Sequence, residues 1–417
     1  MNEIDLAETI QADPQATPLA SLLQAAGAAH KLMPWRGTLT PQQLDAPERE
    51  IETLTSEAAV HDLGWMRRVA VRGEDRFRWL SGMVTNTVND LFPNTGAWNL
   101  VLDAQGHIQG DLTVWRGGEE LSPPRRKSAT GKAARDPDPM LGTPFAGESG
   151  LELVIAADQF EKLLAHLNHF IIMDDVELVP LGVEAPGEAG AETALGLTGP
   201  LAHAVLERMG LPAFNHAMQG TQVEWNGYDL RLVRVYGALV PHYELWLPVA
   251  GLPLLWRALR TAGASPAGRD AINAFRIAEA IPLYGIDIAE RDLPQETSQM
   301  RALHFNKGCY LGQEIVERIR SRGNVHRHLR PVELEGPVPP AGTELKMEEG
   351  KVAGTITSAA ELRLASGNRS FALAMVRAEA EQRDQPLTYL GPAGDSAQAA
   401  CGTARILNAP PILVRNV

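Results

Sequence analysis

The densest run of chemically capable side chains lies between Asn306 and Arg330. Gly308 and Gly312 flank Cys309, Tyr310 and Leu311, and Lys307 precedes them. A helix is predicted from about Gln313 to Ser321, closed by Gly323. Backbone N–H groups at a helix start carry partial positive charge, and a thiol placed there beside a lysine gains thiolate character. On that reading Cys309 is a reactive nucleophile. On the competing one it is a small buried apolar filler, the usual lot of a free cysteine. Arg318, Arg320, Arg322, Arg327 and Arg330 concentrate positive charge in the same run. Guanidinium forks suit carboxylates and phosphates, which points to a small anionic ligand with a polycarboxylate tail. The alternative is a solvated helix face paired with Glu314 and Glu317.

Other familiar chemistries are missing. Gly131-Lys132 is followed by Ala133 and lacks the upstream glycine of a phosphate-binding loop, and no Gly-x-Gly-x-x-Gly, His-Glu-x-x-His or Gly-x-Ser-x-Gly pattern occurs. His326 and His328 stand two apart on a predicted strand, but without a third ligand in register they read as surface histidines, and no metal site is expected. Cys309 and Cys401 are too few for a disulfide framework, and a reducing cytoplasm is the simplest compartment.

The elements that must position these groups are read from periodicity. Arg68–Arg72 alternates as a strand, and Gly73-Glu74-Asp75 starts a helix through Leu80. Asn99–Asp103 and Gly110–Trp115 read as strands joined by the Gln105-Gly106 turn. Leu151–Ala156 reads as a strand and Asp158–Phe170 as a helix with a stripe of Phe160, Leu163, Leu164 and Leu167. Strands at 176–181, 194–198, 230–235 and 243–248 alternate with helices at 201–209 and 252–262. After Arg327 helical patterning vanishes and short strand-like runs near 331–334, 351–357, 371–377 and 402–406 indicate a small all-β domain. The expected division is a partly disordered lead-in over 1–57 (one helix at Leu19–Leu32), an α+β domain over 58–180, a second over 181–325 carrying the Cys309 motif, and a C-terminal β-barrel over 326–417. The two α+β domains are free to interleave. Residues 117–150, rich in Gly and Pro, read as a flexible insert at a hairpin tip, with Arg125-Arg126-Lys127 a weak hint of partner binding.

The 417 residues carry 38 Lys and Arg against 51 Asp and Glu, a formal net charge of −13. That balance argues against a bulk nucleic-acid binder. No run approaches the roughly 18 apolar residues of a membrane span, and the acidic first twenty residues do not read as a secretory signal.

Lys307-Gly308-Cys309-Tyr310, Gly312-Gln313-Glu314, Arg318 and Arg322-Gly323 together resemble the signature of the YgfZ family of folate-binding proteins. Phe275-Arg276-Ile277, Ile281–Asp287, Leu293–Glu296, Val71–Asp75, Trp79–Gly82 and Thr85-Asn86 are also similar to that family. The family is related in fold to the T-protein of glycine cleavage, an aminomethyltransferase, and to folate-dependent demethylases. The resemblance implies an α+β, three-domain arrangement around a central folate-sized hole, with a small C-terminal β-barrel. It implies tetrahydrofolate as cofactor and iron–sulfur client or assembly proteins as partners, in a role making or repairing iron–sulfur enzymes. Cys309 is then the reactive thiol, with Lys307, Tyr310, Gln313 and Glu314 beside it and Gly308 and Gly312 letting the backbone present it. Arg234 and Arg276 are the implied partners of the folate carboxylates, and Asp111 of the pterin.

The chain also departs from the T-protein. Gly110-Asp111 supplies one carboxylate where T-proteins carry an acidic pair, and Leu239-Val240 stands where they have Gly-Glu. Glu279 is the candidate substitute for the missing acid. The alternative activity is a folate-dependent aminomethyltransferase or demethylase with Asp111 as the essential group.

Overall fold

The computed structural model describes residues 13–118, 150–182, 190–323, 325–393 and 399–413. Eleven strands form one continuous sheet, in the spatial order 265–266, 59–62, 192–198, 242–248, 228–235, 219–225, 95–102, 108–116, 151–156, 66–72 and 177–181. A single residue pair, Gln219 with Thr95, joins its two halves. With so short a ladder at the seam the sheet bends there and folds back on itself. Trp115 and Val154 of one half and Ala194, Val233 and Trp246 of the other share one apolar cluster, although their strands lie three or more places apart. Arg68 crosses the same interface, reaching Glu192 at 2.6 Å and Glu152 at 2.9 Å. Charges survive such burial only when paired.

Each half-sheet carries helices on its outer face. Arg76–Met83 and Ala157–His169 cover the first half, and Pro18–Ala25, Ala202–Arg208 and Leu252–Thr261 cover the second. The 157–169 helix and the strands around it follow the expected periodicity closely, and the strands at Ile108–Arg116 and Leu151–Ala156 pair at Arg116 and Leu151, so the 117–150 insert sits on a hairpin tip. The insert itself, with Arg125-Arg126-Lys127, lies outside the described residues apart from its ends.

The lead-in differs most from its expectation. From Asp13 it folds into the Pro18–Ala25 helix, the Leu32–Trp35/Thr38–Pro41 hairpin and the Pro47–Ser56 helix. The first helix stops short of Leu32 because Gly27 turns to φ +82°. Glu50 explains how so acidic a segment is held: its carboxylate, 1% exposed, accepts from the N–H groups of Leu44, Asp45 and Gly268 at 2.6–3.1 Å. Strand 59–62 pairs with 192–198 and 265–266, so residues on both sides of position 58 pack with the second half.

The C-terminal region closes as a six-stranded barrel in the order 327–335, 367–377, 352–364, 344–346, 387–393 and 399–406. One helix, Ala378–Arg383, interrupts it, too short for a period to register in the sequence. Barrel residues Leu329, Phe371 and Leu373 enter a central apolar cluster with Leu100 and Ile108 of the first half and Ile51 and Phe275 of the second. Three bodies therefore meet at one core. No helix among the described residues is long and apolar enough to cross a membrane.

Candidate functional site

Asp111 stands on the 108–116 strand beside the inner wall of that junction. Its Oδ2 accepts from Trp98 Nε1 at 2.9 Å and its Oδ1 from Gln159 Nε2 at 2.8 Å, while its own N–H donates to Gln159 Oε1 at 3.0 Å. Gly110 is what permits this. A Cβ there would lie 2.7 Å from Leu163 and 2.8 Å from Gln159 Oε1, so only glycine lets the 157–169 helix approach this closely. The Gly110-Asp111 pair thus couples a close helix contact to a held carboxylate.

Trp98 leads to the other half of the sheet. The Arg301 guanidinium lies 4.6 Å from the Trp98 ring centroid and 3.8 Å from that of Tyr236, clamped between one aromatic from each half. Burial brings its pKa down to about 10, opposed by Tyr236, Asp111 and Glu279, so it remains a cation at neutral pH.

The Cys309 segment connects to this group through Asn86. Asn86 Nδ2 donates to the carbonyls of Trp98 (3.0 Å) and Arg301 (2.7 Å), and the Asn86 carbonyl accepts from Lys307 Nζ at 2.7 Å. Lys307 also donates to Val84 O at 2.6 Å, and burial lowers its pKa to about 7. Its ammonium is thus committed to the 84–86 loop. Tyr310 is buried in the central cluster, which pushes its hydroxyl up to about 12. Gln313 Oε1 accepts from the Tyr310 N–H at 3.3 Å, and Glu314 is exposed. Cys309 is exposed, which removes the buried-filler reading. It is not in the first turn of the helix, however: the helix runs Gln313–Arg322 and its cap is Gly312, three residues beyond the thiol. Gly312 has φ +79°, and a Cβ there would meet Asp103 O at 2.6 Å. Gly308 has open space around it and needs no left-handed backbone.

Three of the five arginines of this run have acidic partners. Arg327 pairs with Asp292 (2.8 Å) and Glu296 (2.9 Å), Arg330 with Glu381 (3.0 Å), and Arg320 lies near Glu317 and over Phe305. Arg327 and Arg330 lie on the first barrel strand. On the helix itself Arg318 is exposed and makes no ion pair among the described residues, and the Arg322 side chain is outside the described set, so the expected convergence of the five arginines on one anion is not seen. His328 contacts Glu381, and no cluster of His, Cys, Asp and Glu among the described residues is arranged to hold a metal.

Arg276 and Arg234 do not come together. Arg276, 7% exposed, ion-pairs with Asp287 and donates to Ile281 O and Asn273 Oδ1, leaving Nη2 buried without a partner. It borders a 190 Å³ cavity with Trp35, His61, Tyr236, His242 and Phe275. Below the roughly 300–1,000 Å³ of common ligand pockets, this cavity has room for one ring system, smaller than the folate-sized hole expected. His61 Nδ1 is likewise buried and unpartnered. Its Nε2 meets Thr198 Oγ1 at 3.0 Å, Thr198 meets His242 at 3.4 Å, and His242 Nε2 approaches Glu279 Oε2 at 2.7 Å, off-axis for a hydrogen bond. Burial holds His61 down at about 3, hence neutral. Glu279, 1% exposed, accepts from the N–H groups of Leu239 (2.8 Å) and Val240 (3.4 Å), the two positions where the T-protein acid is missing. Arg234 faces away: Val235 lines the cavity, so strand alternation turns Arg234 to the opposite side, where it donates to Phe214 O. A larger open depression of 880 Å³ lies against Arg68, Arg72 and Glu192, beside the ends of the described segments, and contains none of these groups.

Residues 21–122 match the family described as the GCVT N-terminal domain, and residues 326–402 match the CAF17 C-terminal β-barrel domain. The aminomethyltransferase of Rubrobacter xylanophilus is 28% identical over 77% of this chain and 76% of its own. That of Geobacillus kaustophilus is 25% identical over 87% and 90%. The crystal structure of glycine cleavage system aminomethyltransferase T from Bartonella henselae matches with a TM-score of 0.76 at 18% identity, covering 96% of this chain and 98% of that one. The fold is that of a T-protein.

Within this T-protein-like fold, the sequence reading singled out Asp111 and Arg276 but missed the groups that orient them. Trp98 and Gln159 come from a strand and a helix 13 and 48 residues away from Asp111. Arg301, in the short Met300–Ala302 turn, carries no motif at all. Gln159 lies within the helix read over 158–170, but nothing in that reading marks it as a partner of Asp111.

Proposed function

We propose that this protein binds tetrahydrofolate at the junction of its half-sheets and serves iron–sulfur cluster biogenesis or repair in the cytoplasm through the thiol of Cys309. The observation that carries the reading is the placement of an exposed thiol two residues from Lys307, whose ammonium is bound to the same Asn86 that holds the carbonyls of Trp98 and Arg301. The cavity fits a ring head: Arg276 Nη2 and His61 Nδ1 are unmatched polar atoms in its wall, and Phe275 and Tyr236 offer aromatic faces. Folate use by aminomethyltransferases and the CAF17-type barrel both support a folate ligand on this scaffold. Tetrahydrofolate, when bound, supplies a one-carbon acceptor. The chain's own part is to hold the ring head at Arg276, keep Asp111 oriented through Trp98 and Gln159, and keep Cys309 open to a partner.

Aminomethyl transfer is the second reading, favoured by Asp111 and by the relatives' activity. Against it, both Asp111 oxygens already accept hydrogen bonds, and Glu279 spends one oxygen on the 239–240 backbone. Tetrahydrofolate titrated into the purified protein is expected to bind saturably, and Cys309→Ala is expected not to restore iron–sulfur enzyme activity in a strain lacking the protein. Turnover of an aminomethyl donor that Asp111→Ala abolishes and Cys309→Ala leaves intact overturns this reading in favour of the second.

A further inference from the structure

We propose that Arg301 is the specificity-determining residue that recognises a carboxylate on the ligand, a role that neither Arg234 nor Arg276 is free to fill. The inference deepens the folate reading and rests on it for the identity of the ring that accompanies the carboxylate.

The side chain is held at every point except its fork. The Arg301 and Ala302 carbonyls accept from Asn86 Nδ2 and Thr85 Oγ1, both at 2.7 Å, which pins the backbone. Nε donates to Gln299 Oε1 at 3.0 Å, and the guanidinium is sandwiched by Trp98 and Tyr236. Nη1 and Nη2, by contrast, make no hydrogen bond or ion pair among the described residues, and neither is sealed from solvent. A planar fork with two parallel N–H vectors is the geometry that takes a carboxylate bidentately.

No carboxylate of the protein is available to close that fork. Asp111 and Glu279 are the acids whose charge it feels, and neither comes within ion-pair distance. Asp111 is turned toward Trp98 and Gln159, and Glu279 toward the 239–240 backbone and His242. The two buried arginines nearby differ, Arg276 having Asp287 and Arg36 having Asp158, while half-buried Arg234 faces away from the cavity and donates to the Phe214 carbonyl. A half-buried cation without a counter-charge has given up part of its hydration, and an incoming anion offsets that cost. Tyr236 both lines the cavity beside Arg276 and stacks on Arg301. A ligand with its ring in the cavity therefore passes Tyr236 on the way to the fork.

The test separates ring from carboxylate. Wild type, Arg301→Gln and Arg301→Lys are titrated calorimetrically with 5-formyltetrahydrofolate, with 6-methyltetrahydropterin (no carboxylate) and with p-aminobenzoylglutamate (no pterin). Arg301→Gln is expected to weaken the two carboxylate ligands at least tenfold and to leave the pterin within twofold. Arg301→Lys, which keeps the charge and loses the fork, is expected to fall between, and it guards against a folding defect in the glutamine variant. Equal loss for the carboxylate-free pterin, or unchanged binding of both carboxylate ligands, overturns the assignment. Arg301-dependent binding of p-aminobenzoylglutamate without any pterin binding sinks the folate reading while leaving Arg301's role standing.

Discussion

Asp287→Asn tests how the barrel is locked to the site. Asp287 is 2% exposed and takes four donors: Arg276 Nη1 and the Leu283 N–H on one oxygen, Thr357 Oγ1 (2.7 Å) and Ser358 Oγ (2.6 Å) on the other. Two consecutive barrel residues reach one carboxylate because the 352–364 strand bulges between Ile356 and Ser358, breaking the alternation that would point them to opposite faces. In the asparagine variant the amide turns its NH₂ to the hydroxyls, which can rotate to accept. Arg276 then keeps an oxygen but loses its counter-charge. Removing one member of a buried ion pair costs about 3–5 kcal/mol, far more than the roughly 0.5–1.5 kcal/mol of one neutral hydrogen bond. Urea unfolding at neutral pH, followed by tryptophan fluorescence, is expected to show a loss of about 3–5 kcal/mol. Adding Arg276→Met removes the stranded cation, so the double variant is expected to regain at least about 2 kcal/mol over the single one. A loss under about 1 kcal/mol, or no recovery in the double variant, refutes the view that charge compensation at this joint dominates.

Two further outcomes follow from the Cys309 segment. Gly312→Ala forces a left-handed backbone on a side chain whose Cβ meets Asp103 O at 2.6 Å, and is expected to lower stability by about 1–3 kcal/mol, whereas Gly308→Ala is expected to stay within about 0.5 kcal/mol of wild type. Equal urea midpoints for the two variants would count against the observed loop. For Lys307 burial brings the folded pKa down to about 7 from the ordinary lysine value of 10.5. Over that window the unfolded chain holds a proton that the folded chain has released, so stability rises with pH. Lys307→Met removes the group, so the wild type is expected to gain stability relative to the variant between about pH 7 and about pH 10; midpoints that change in parallel exclude a buried, deprotonating lysine.

Much of the fold is legible in the residues, and the limits of that legibility are physical. The 108–116 and 151–156 strands and the 157–169 helix each bury one face, so their periods of two and 3.6 appear directly in the sequence. Strand Gln219–Trp225 is missing from the sequence reading although Thr221, Val223 and Trp225 alternate with Gln222 and Glu224 ahead of the Asn226-Gly227 turn, and its burial does not follow that alternation. The lead-in misleads by composition, because an acid such as Glu50 is buried on backbone donors supplied by Leu44, Asp45 and Gly268.

The candidate site divides the same way. Residue type and spacing alone determined that the 307–314 run forms a glycine-capped helix entry with a thiol before it, that Asp111 follows a glycine on a strand, and that the chain ends in a β-domain. Only the tertiary structure decided which charges are spent and which are open. Arg327 and Arg330, conspicuous in the sequence, are neutralised by Asp292, Glu296 and Glu381, while Arg301, inconspicuous, is left with an unmatched fork between two rings. Periodicity reports which face of an element is buried, a local property. The partner of a charge is set by whichever distant segment packs against it, and that is fixed only when the half-sheets and the barrel close on their common core.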